Sequence, residues 1–231
     1  MKTLKALASV AIATTIVPLV AGVAEAALIK TVDPLTDFQT VNQATTPNTV
    51  GITSQLLGSV NRTISVSGVK SPPSSPFPIN AQVDVAGGFL SFATGTGTNG
   101  ITTINYGTFA ATDFTMGGAD SIMLGLVSAD LAGTNVTVTL NGIPKTLGPF
   151  GTVPPPVGPL VFDFDDFAGL DETAVTSFSV TIDPPTAGDV TIDVIGTSGP
   201  GIPPTTPEPT TMLGLLAVAA FGSSALKKKQ S

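Results

Sequence analysis

Val136-Thr137-Val138-Thr139-Leu140-Asn141-Gly142 is the stretch from which the fold can be read. Its strict alternation of apolar and hydroxyl residues sends one set of side chains to each side of an extended strand, because the side-chain period of a strand is two. Asn141 and Gly142 tolerate positive φ and mark a tight turn directly behind it. The same alternation recurs upstream in Thr63-Ile64-Ser65-Val66-Ser67, Ala81-Gln82-Val83-Asp84-Val85 and Ile101-Thr102-Thr103-Ile104. Downstream it recurs in Leu160-Val161-Phe162-Asp163-Phe164, Phe178-Ser179-Val180-Thr181-Ile182 and Val190-Thr191-Ile192-Asp193-Val194. Ile122-Met123-Leu124-Gly125-Leu126-Val127 is more continuously apolar and suits a central strand. About ten strands with frequent Gly, Pro, Asn and Asp clusters between them predict an all-β fold, a single jelly-roll-like β-sandwich. The one helix expected inside it is a short turn around residues 167–172.

Both ends of the chain read as addresses. At the start, Lys2 and Lys5 precede an uncharged, mostly apolar stretch over residues 6–23, and Ala24-Glu25-Ala26 offers the small-x-small pattern that signal peptidase accepts. Residues 1–26 are therefore expected to be a signal peptide, helical before cleavage after Ala26. At the other end stand Pro207, Glu208 and Pro209, then an uncharged apolar run over residues 212–226, then Lys227, Lys228 and Lys229. Proline resists helix formation, so the Pro-Glu-Pro segment stays extended and open to a processing enzyme. The apolar helix of residues 212–226 is shorter than the roughly 20 residues that cross a bilayer comfortably, which suits a transient anchor. The three lysines form a basic stop on the cytoplasmic side, leaving the Pro-Glu-Pro segment outside.

This tail resembles the PEP-CTERM sorting signal of bacteria that export proteins with extracellular polysaccharide. The resemblance implies recognition and cutting by an exosortase-like enzyme and delivery to the cell surface or beyond. The expected organisation is a β-sandwich over residues 27–198, a flexible Pro- and Gly-rich spacer over 199–206 and the sorting signal over 207–231. The proline-rich stretches at residues 71–78 and 153–159 are too short to separate domains and read as surface loops.

Composition narrows the chemistry. Five of the nine basic residues lie in the targeting segments, leaving Lys30, Arg62, Lys70 and Lys145 against the carboxylates between Asp33 and Asp193. Such an acidic domain repels nucleic acid and anionic lipid. Cysteine, histidine and tryptophan are absent and Tyr106 is the single tyrosine, so there is no disulfide framework and no thiolate or imidazole site. Stability has to come from a packed apolar core.

Several motifs have a chemical and a structural reading. Gly95-Thr96-Gly97-Thr98-Asn99-Gly100 matches the dinucleotide fingerprint, with Asp120 about 20 residues on, but the residues that follow alternate like a strand instead of opening the helix that holds pyrophosphate. A glycine-rich hairpin loop is the expectation. Asp163, Asp165 and Asp166, with Asp171 and Glu172 nearby, could offer oxygens to Ca²⁺. On a continuous strand Asp163 and Asp165 instead form a solvated face opposite Phe162 and Phe164, and this is the expected outcome. Ser67 and Lys70 have the spacing of a serine–lysine pair, which needs a helical turn that the strand pattern denies. Asn61-Arg62-Thr63 and Asn135-Val136-Thr137 are glycosylation sequons by pattern, both in strand-like segments.

Residues 161–169, 175–180 and 189–193 resemble the final strands of carbohydrate-binding-module-like jelly rolls of bacterial surface proteins. That resemblance implies the β-sandwich, while the aromatic platform on which many such modules bind sugars is not evident, since there is no tryptophan and Tyr106 stands alone. The leading expectation is a non-enzymatic, exported surface or extracellular-matrix protein with a structural or adhesive role and no cofactor. Its partners are signal peptidase, an exosortase-like enzyme and, transiently, the membrane; nucleic acid is not among them. The alternative is a module that binds extracellular polysaccharide through Asp or Asn hydrogen bonds, helped by Ca²⁺. A hydrolase built on Asp130, Asp163 and Asp166 is the third reading. Intact-mass measurement of protein recovered from the surface or medium should give a chain starting at Ala27 and ending within residues 207–209; a mass that includes Lys227 to Lys229 contradicts the transient anchor.

Overall fold

Among the described residues alternation is realised as thirteen antiparallel strands, more than the ten or so that the clearest sequence patterns mark. The computed structural model describes residues 26–150 and 159–200. In chain order the strands are β1 (Ala27–Asp33), β2 (Gln39–Asn42), β3 (Asn48–Ser54), β4 (Gly58–Lys70), β5 (Ala81–Ala86), β6 (Phe89–Thr94) and β7 (Thr98–Thr112). They continue as β8 (Ser121–Ala129), β9 (Thr134–Leu140), β10 (Ile143–Phe150), β11 (Leu160–Asp163), β12 (Val175–Asp183) and β13 (Asp189–Gly199). One sheet runs β11-β8-β13-β6-β5-β2 with β1 paired onto β13, and the other runs β10-β9-β12-β7-β4-β3. Together they form the jelly-roll-like sandwich.

Each sheet turns one side of its alternation inward. β9 is the purest case: Thr134, Val136, Val138 and Leu140 are buried while Asn135, Thr137 and Thr139 are not. Asn141 and Gly142 take φ of 48° and 80°, the double positive φ of the tight hairpin that joins β9 to β10. β8, the most apolar run, lies between β11 and β13 as a central strand should. The core adds Phe92, Phe114, Phe162, Phe167 and Phe178 to these aliphatic side chains. Burying such residues is worth roughly 1.5–3 kcal/mol each.

Two expectations are corrected. The glycine-rich segment at Gly95 to Gly100 is not a hairpin loop, because β6 before it and β7 after it belong to different sheets. It is a corner between the layers: Gly97 has φ of 73°, and a Cβ on Gly100 would lie 2.7 Å from Thr94 Cγ2. The glycines answer to packing there, and β7 follows in place of a phosphate-binding helix. The helical turn comes earlier than residues 167–172. It is a 3₁₀ turn at Phe164–Asp166, formed as the Phe164 N–H bonds the Asp120 carbonyl and the Phe167 N–H bonds the Phe164 carbonyl. With three residues per turn, Phe164 and Phe167 both reach the core. The sequence thus switches from a period of two to a period of three within five residues.

Between the sheets lies a buried polar cluster that the alternation did not disclose. Arg62 on β4 and Asp33 on β1 are both fully buried and form an ion pair at 2.9 Å. Arg62 Nη1 donates to both Asp33 oxygens, Nε donates to Gln39 Oε1 at 2.9 Å, and Nη2 donates to the Asp37 carbonyl at 2.6 Å. The Tyr106 hydroxyl on β7 donates to Asp33 Oδ2 at 2.9 Å, and the Leu35 N–H donates to Asp33 Oδ1 at 2.8 Å. Burial, and after it the Asp33 charge, holds the Tyr106 phenol well above its ordinary pKa, so it stays a neutral donor.

Residues 1–25, 151–158 and 201–231 lie outside the described residues, and with them fall the expected signal peptide as far as Glu25, most of the expected proline-rich loop at 153–159, the expected spacer from 201 to 206, Pro207, Glu208, Pro209, the apolar run 212–226 and Lys227 to Lys229. Among the described residues no helix is long and apolar enough to cross a membrane. Replacing Arg62 by Met should leave Asp33 as an uncompensated buried charge and cost about 3–5 kcal/mol in urea unfolding. The double variant Arg62→Met/Asp33→Leu should regain much of that loss; a single variant within 1 kcal/mol of the parent, on the order of an exposed pair, contradicts the cluster's role.

Candidate functional site

The outward side of the β10-β9-β12-β7-β4-β3 sheet is where register converts a strand pattern into a surface. One row across all six strands reads Thr49, Thr63, Asn105, Ser179, Thr139 and Pro144, each residue paired with the next. A second row reads Ser65, Thr103, Thr181, Thr137 and Thr146. Neighbouring hydroxyls bond across strands: Thr49 with Thr63 at 2.9 Å, Thr103 with Thr181 at 3.1 Å and Thr137 with Thr146 at 2.7 Å. Hydroxyls and amides therefore repeat at the strand spacing of about 4.8 Å in one direction and about 6.7 Å in the other.

This face carries almost no charge although the domain is strongly acidic. Asp183, beside Asn135 in register, is its one carboxylate, and burial raises its pKa. The cations are turned elsewhere: Arg62 is in the core, Lys70 Nζ donates to the Ser75 carbonyl at 3.0 Å, and Lys145 bridges to Asp166 at 3.0 Å. Seven-stranded-sheet positions are less uniform, with Asp84 and Asp193 on the outward side and the exposed rings of Phe38 and Phe89 near its edge.

The polar face is also indented. β4 and β7 pair from Lys70 with Thr98 down to Thr63 with Asn105, and then part. The first residues beyond the last pair are Arg62 and Tyr106, whose side chains both reach inward to Asp33. A β-bulge at this point lets Thr108 pair with Ser177 after Asn105 pairs with Ser179, and Gly107 supplies it with φ of 69°. The gap is a cleft of about 690 Å³ lined by Thr49, Ser59, Asn61, Thr63, Thr108 and Phe109, with Tyr106 at its floor. Phe109 packs on Phe114 with ring centroids 6.3 Å apart.

The acidic residues singled out by the sequence form a different place. Asp163, Asp165, Asp166 and Glu172 line a cleft of about 440 Å³ with Thr115, Asp120 and Phe164. Asp163 ends β11 and Asp165 lies in the 3₁₀ turn, so the shared strand face expected for them does not exist. Among the described residues no three acidic side chains are gathered as a metal site, and Asp166 is already engaged by Lys145. Asp130 is not in this cleft. It follows the end of β8 whereas Asp163 pairs with the first residue of β8, a separation of about 30 Å at strand rise. Its nearby carboxylate is Asp189, whose pKa is raised by burial and by the Asp130 charge against a lowering bond from the Thr94 N–H. Ser67 and Lys70 point to opposite sides of β4, as a spacing of three on a strand requires.

No protein-family model matches the chain, and no curated protein matches it. Among solved structures it aligns with the Family 11 Carbohydrate-Binding Module of cellulosomal cellulase Lic26A-Cel5E of Clostridium thermocellum, at 10% identity and a TM-score of 0.33, over 77% of this chain and 97% of that one. The sandwich assignment stands on the strand pairing itself. The outward hydroxyls were visible in the sequence as alternate residues of separate strands, but their alignment into rows depends on register, which alternation leaves open. Asn61 stood out only as the start of a sequon, and Phe109 only by the break in alternation at Gly107. Adding excess EDTA should shift the melting temperature by less than about 1 °C, since bound Ca²⁺ would contribute through its binding free energy. A drop of several degrees would make Asp163, Asp165 and Asp166 ligands after all.

Proposed function

We propose that this chain is a non-enzymatic, exported adhesive module that holds neutral polysaccharide on the hydroxyl and amide face of its six-stranded sheet. The observation that carries the reading is the near absence of charge from that face in a domain with fourteen carboxylates between Asp33 and Asp193. A sugar chain presents hydroxyls as donors and acceptors in every direction, and threonine, serine and asparagine side chains offer both in return. Individual bonds of this kind contribute about 0.5–1.5 kcal/mol, so useful affinity comes from many of them along a polymer. Acidic surroundings disfavour anionic chains by long-range repulsion.

The two terminal patterns supply the address. Ala24 and Ala26 fit a signal-peptidase site, and Pro207, Glu208 and Pro209 ahead of the apolar run and Lys227 to Lys229 fit an exosortase-type signal. Both support delivery to the surface or matrix, where polysaccharide is the abundant ligand. In affinity electrophoresis, gels containing neutral glucan, mannan or galactan should retard the protein and gels containing alginate should not. The Ser65→Asp/Thr139→Asp variant should run unretarded with its melting temperature within about 2 °C, as surface substitutions usually leave stability intact. Equal retardation of parent and variant, or retardation by alginate alone, overturns the proposal.

A further inference from the structure

We infer that the fork between β4 and β7 is a dedicated subsite for one sugar ring of a neutral polysaccharide, a reading that rests on the polysaccharide role proposed above. The volume of about 690 Å³ falls within the range of small-molecule sites, and every residue that lines it is uncharged. An apolar wall is present in Phe109, half-buried, with its ring supported by Phe114. Tyr106 lies beneath the cleft, buried, with its ring stacked on Phe178 and its hydroxyl committed to Asp33, so it closes the floor without offering a free aromatic face. Around the rim, Ser59, Asn61 and Thr108 are exposed. Such a combination of aromatic surface and convergent neutral polar groups suits the two kinds of surface that a pyranose presents, its C–H face and its hydroxyl edge.

The location fits a polymer as well as a ring. The cleft opens beside Thr49 and Thr63, the first two members of the row that continues through Asn105, Ser179 and Thr139. A chain seated in the fork by one sugar can therefore run across the strands along that row. A phosphate or uronate would find no cation in the cleft, and an amine or metal ion would find no carboxylate.

Tyr106 also makes the site observable. It is the single tyrosine of a chain without tryptophan, so tyrosine emission reports on the floor of this cleft. Titrating the purified protein with cellohexaose, laminarihexaose and mannohexaose should give a saturable change in tyrosine emission for at least one of them. Asn61→Ala/Thr108→Ala, both exposed positions, should weaken that hexasaccharide about tenfold, as the loss of one or two hydrogen bonds implies. Phe109→Leu should weaken it similarly if its melting curve remains cooperative; if it does not, the exposed pair alone decides. Retained affinity in Asn61→Ala/Thr108→Ala, while Ser65→Asp/Thr139→Asp loses it, overturns the subsite and leaves the binding face standing. Failure of the parent to bind any of the three hexasaccharides overturns the subsite, and lack of retardation in every neutral gel overturns the wider proposal with it.

Discussion

Asp33 and Arg62 are a full charge pair with no access to water, and the rest of the structure is arranged around satisfying them. Removing two charges from solvent carries a large desolvation penalty, which only good geometry and additional hydrogen bonds offset. Here the Asp33 oxygens accept from Arg62, Tyr106 and the Leu35 N–H, while the guanidinium also reaches Gln39 and the Asp37 carbonyl. Asp33 and Gln39 come from one sheet and Arg62 and Tyr106 from the other, so the cluster fixes how the layers face each other. A purely apolar interface of equal area has many near-equivalent packings; a charged pair with directional partners has one.

The same cluster shapes the surface. Arg62 and Tyr106 are the first residues past the last β4–β7 pair, and both are held toward Asp33. β4 stays paired with β3 down to Gly58, so the strands part on the β7 side, where Gly107 sits at a bulge against β12. What opens on the outer side is the cleft floored by Tyr106. Beyond it, the core fills the inward positions of every strand, which leaves the outward positions of the six-stranded sheet unconstrained by packing. Threonine, serine and asparagine occupy most of those positions, with Val69 and Ile101 also exposed there and Asp183 as the one carboxylate, while the other acidic residues fall to the other sheet, the loops and the 3₁₀ turn.

Much of this architecture was legible because the strands are half-buried and antiparallel. β4, β5, β7, β9, β11, β12 and β13 each contain a stretch whose alternation is evident, β8 reads as a continuous apolar run, and the Asn141-Gly142 turn was marked by its chemistry. β10 was obscured by Pro144 and Pro149, which weaken strand propensity, and β2 is only four residues long. The 3₁₀ turn at Phe164–Asp166 was hidden inside an apparently continuous alternation, since Phe162 and Phe164 are buried in either conformation. The binding face was half legible: its residues alternate visibly, but rows and fork arise only from register. Arg62 was the least legible of all: period two puts it on the inward side with Ile64 and Val66, but nothing in the sequence names Asp33, Gln39 and Tyr106 as the partners that let a charge be enclosed there.

On this reading, ligand contact is confined to the outward face of the six-stranded sheet and the fork between β4 and β7. An amide-resolved NMR titration of the ¹⁵N-labelled protein with the neutral hexasaccharide that binds best tests it most directly. Perturbed amides should cluster at Thr49, Asn61, Thr63, Asn105, Thr108 and Ser179, with the seven-stranded sheet unmoved. Perturbations centred on the acidic cleft at Asp163 to Glu172, or on Phe38 and Phe89, would contradict it.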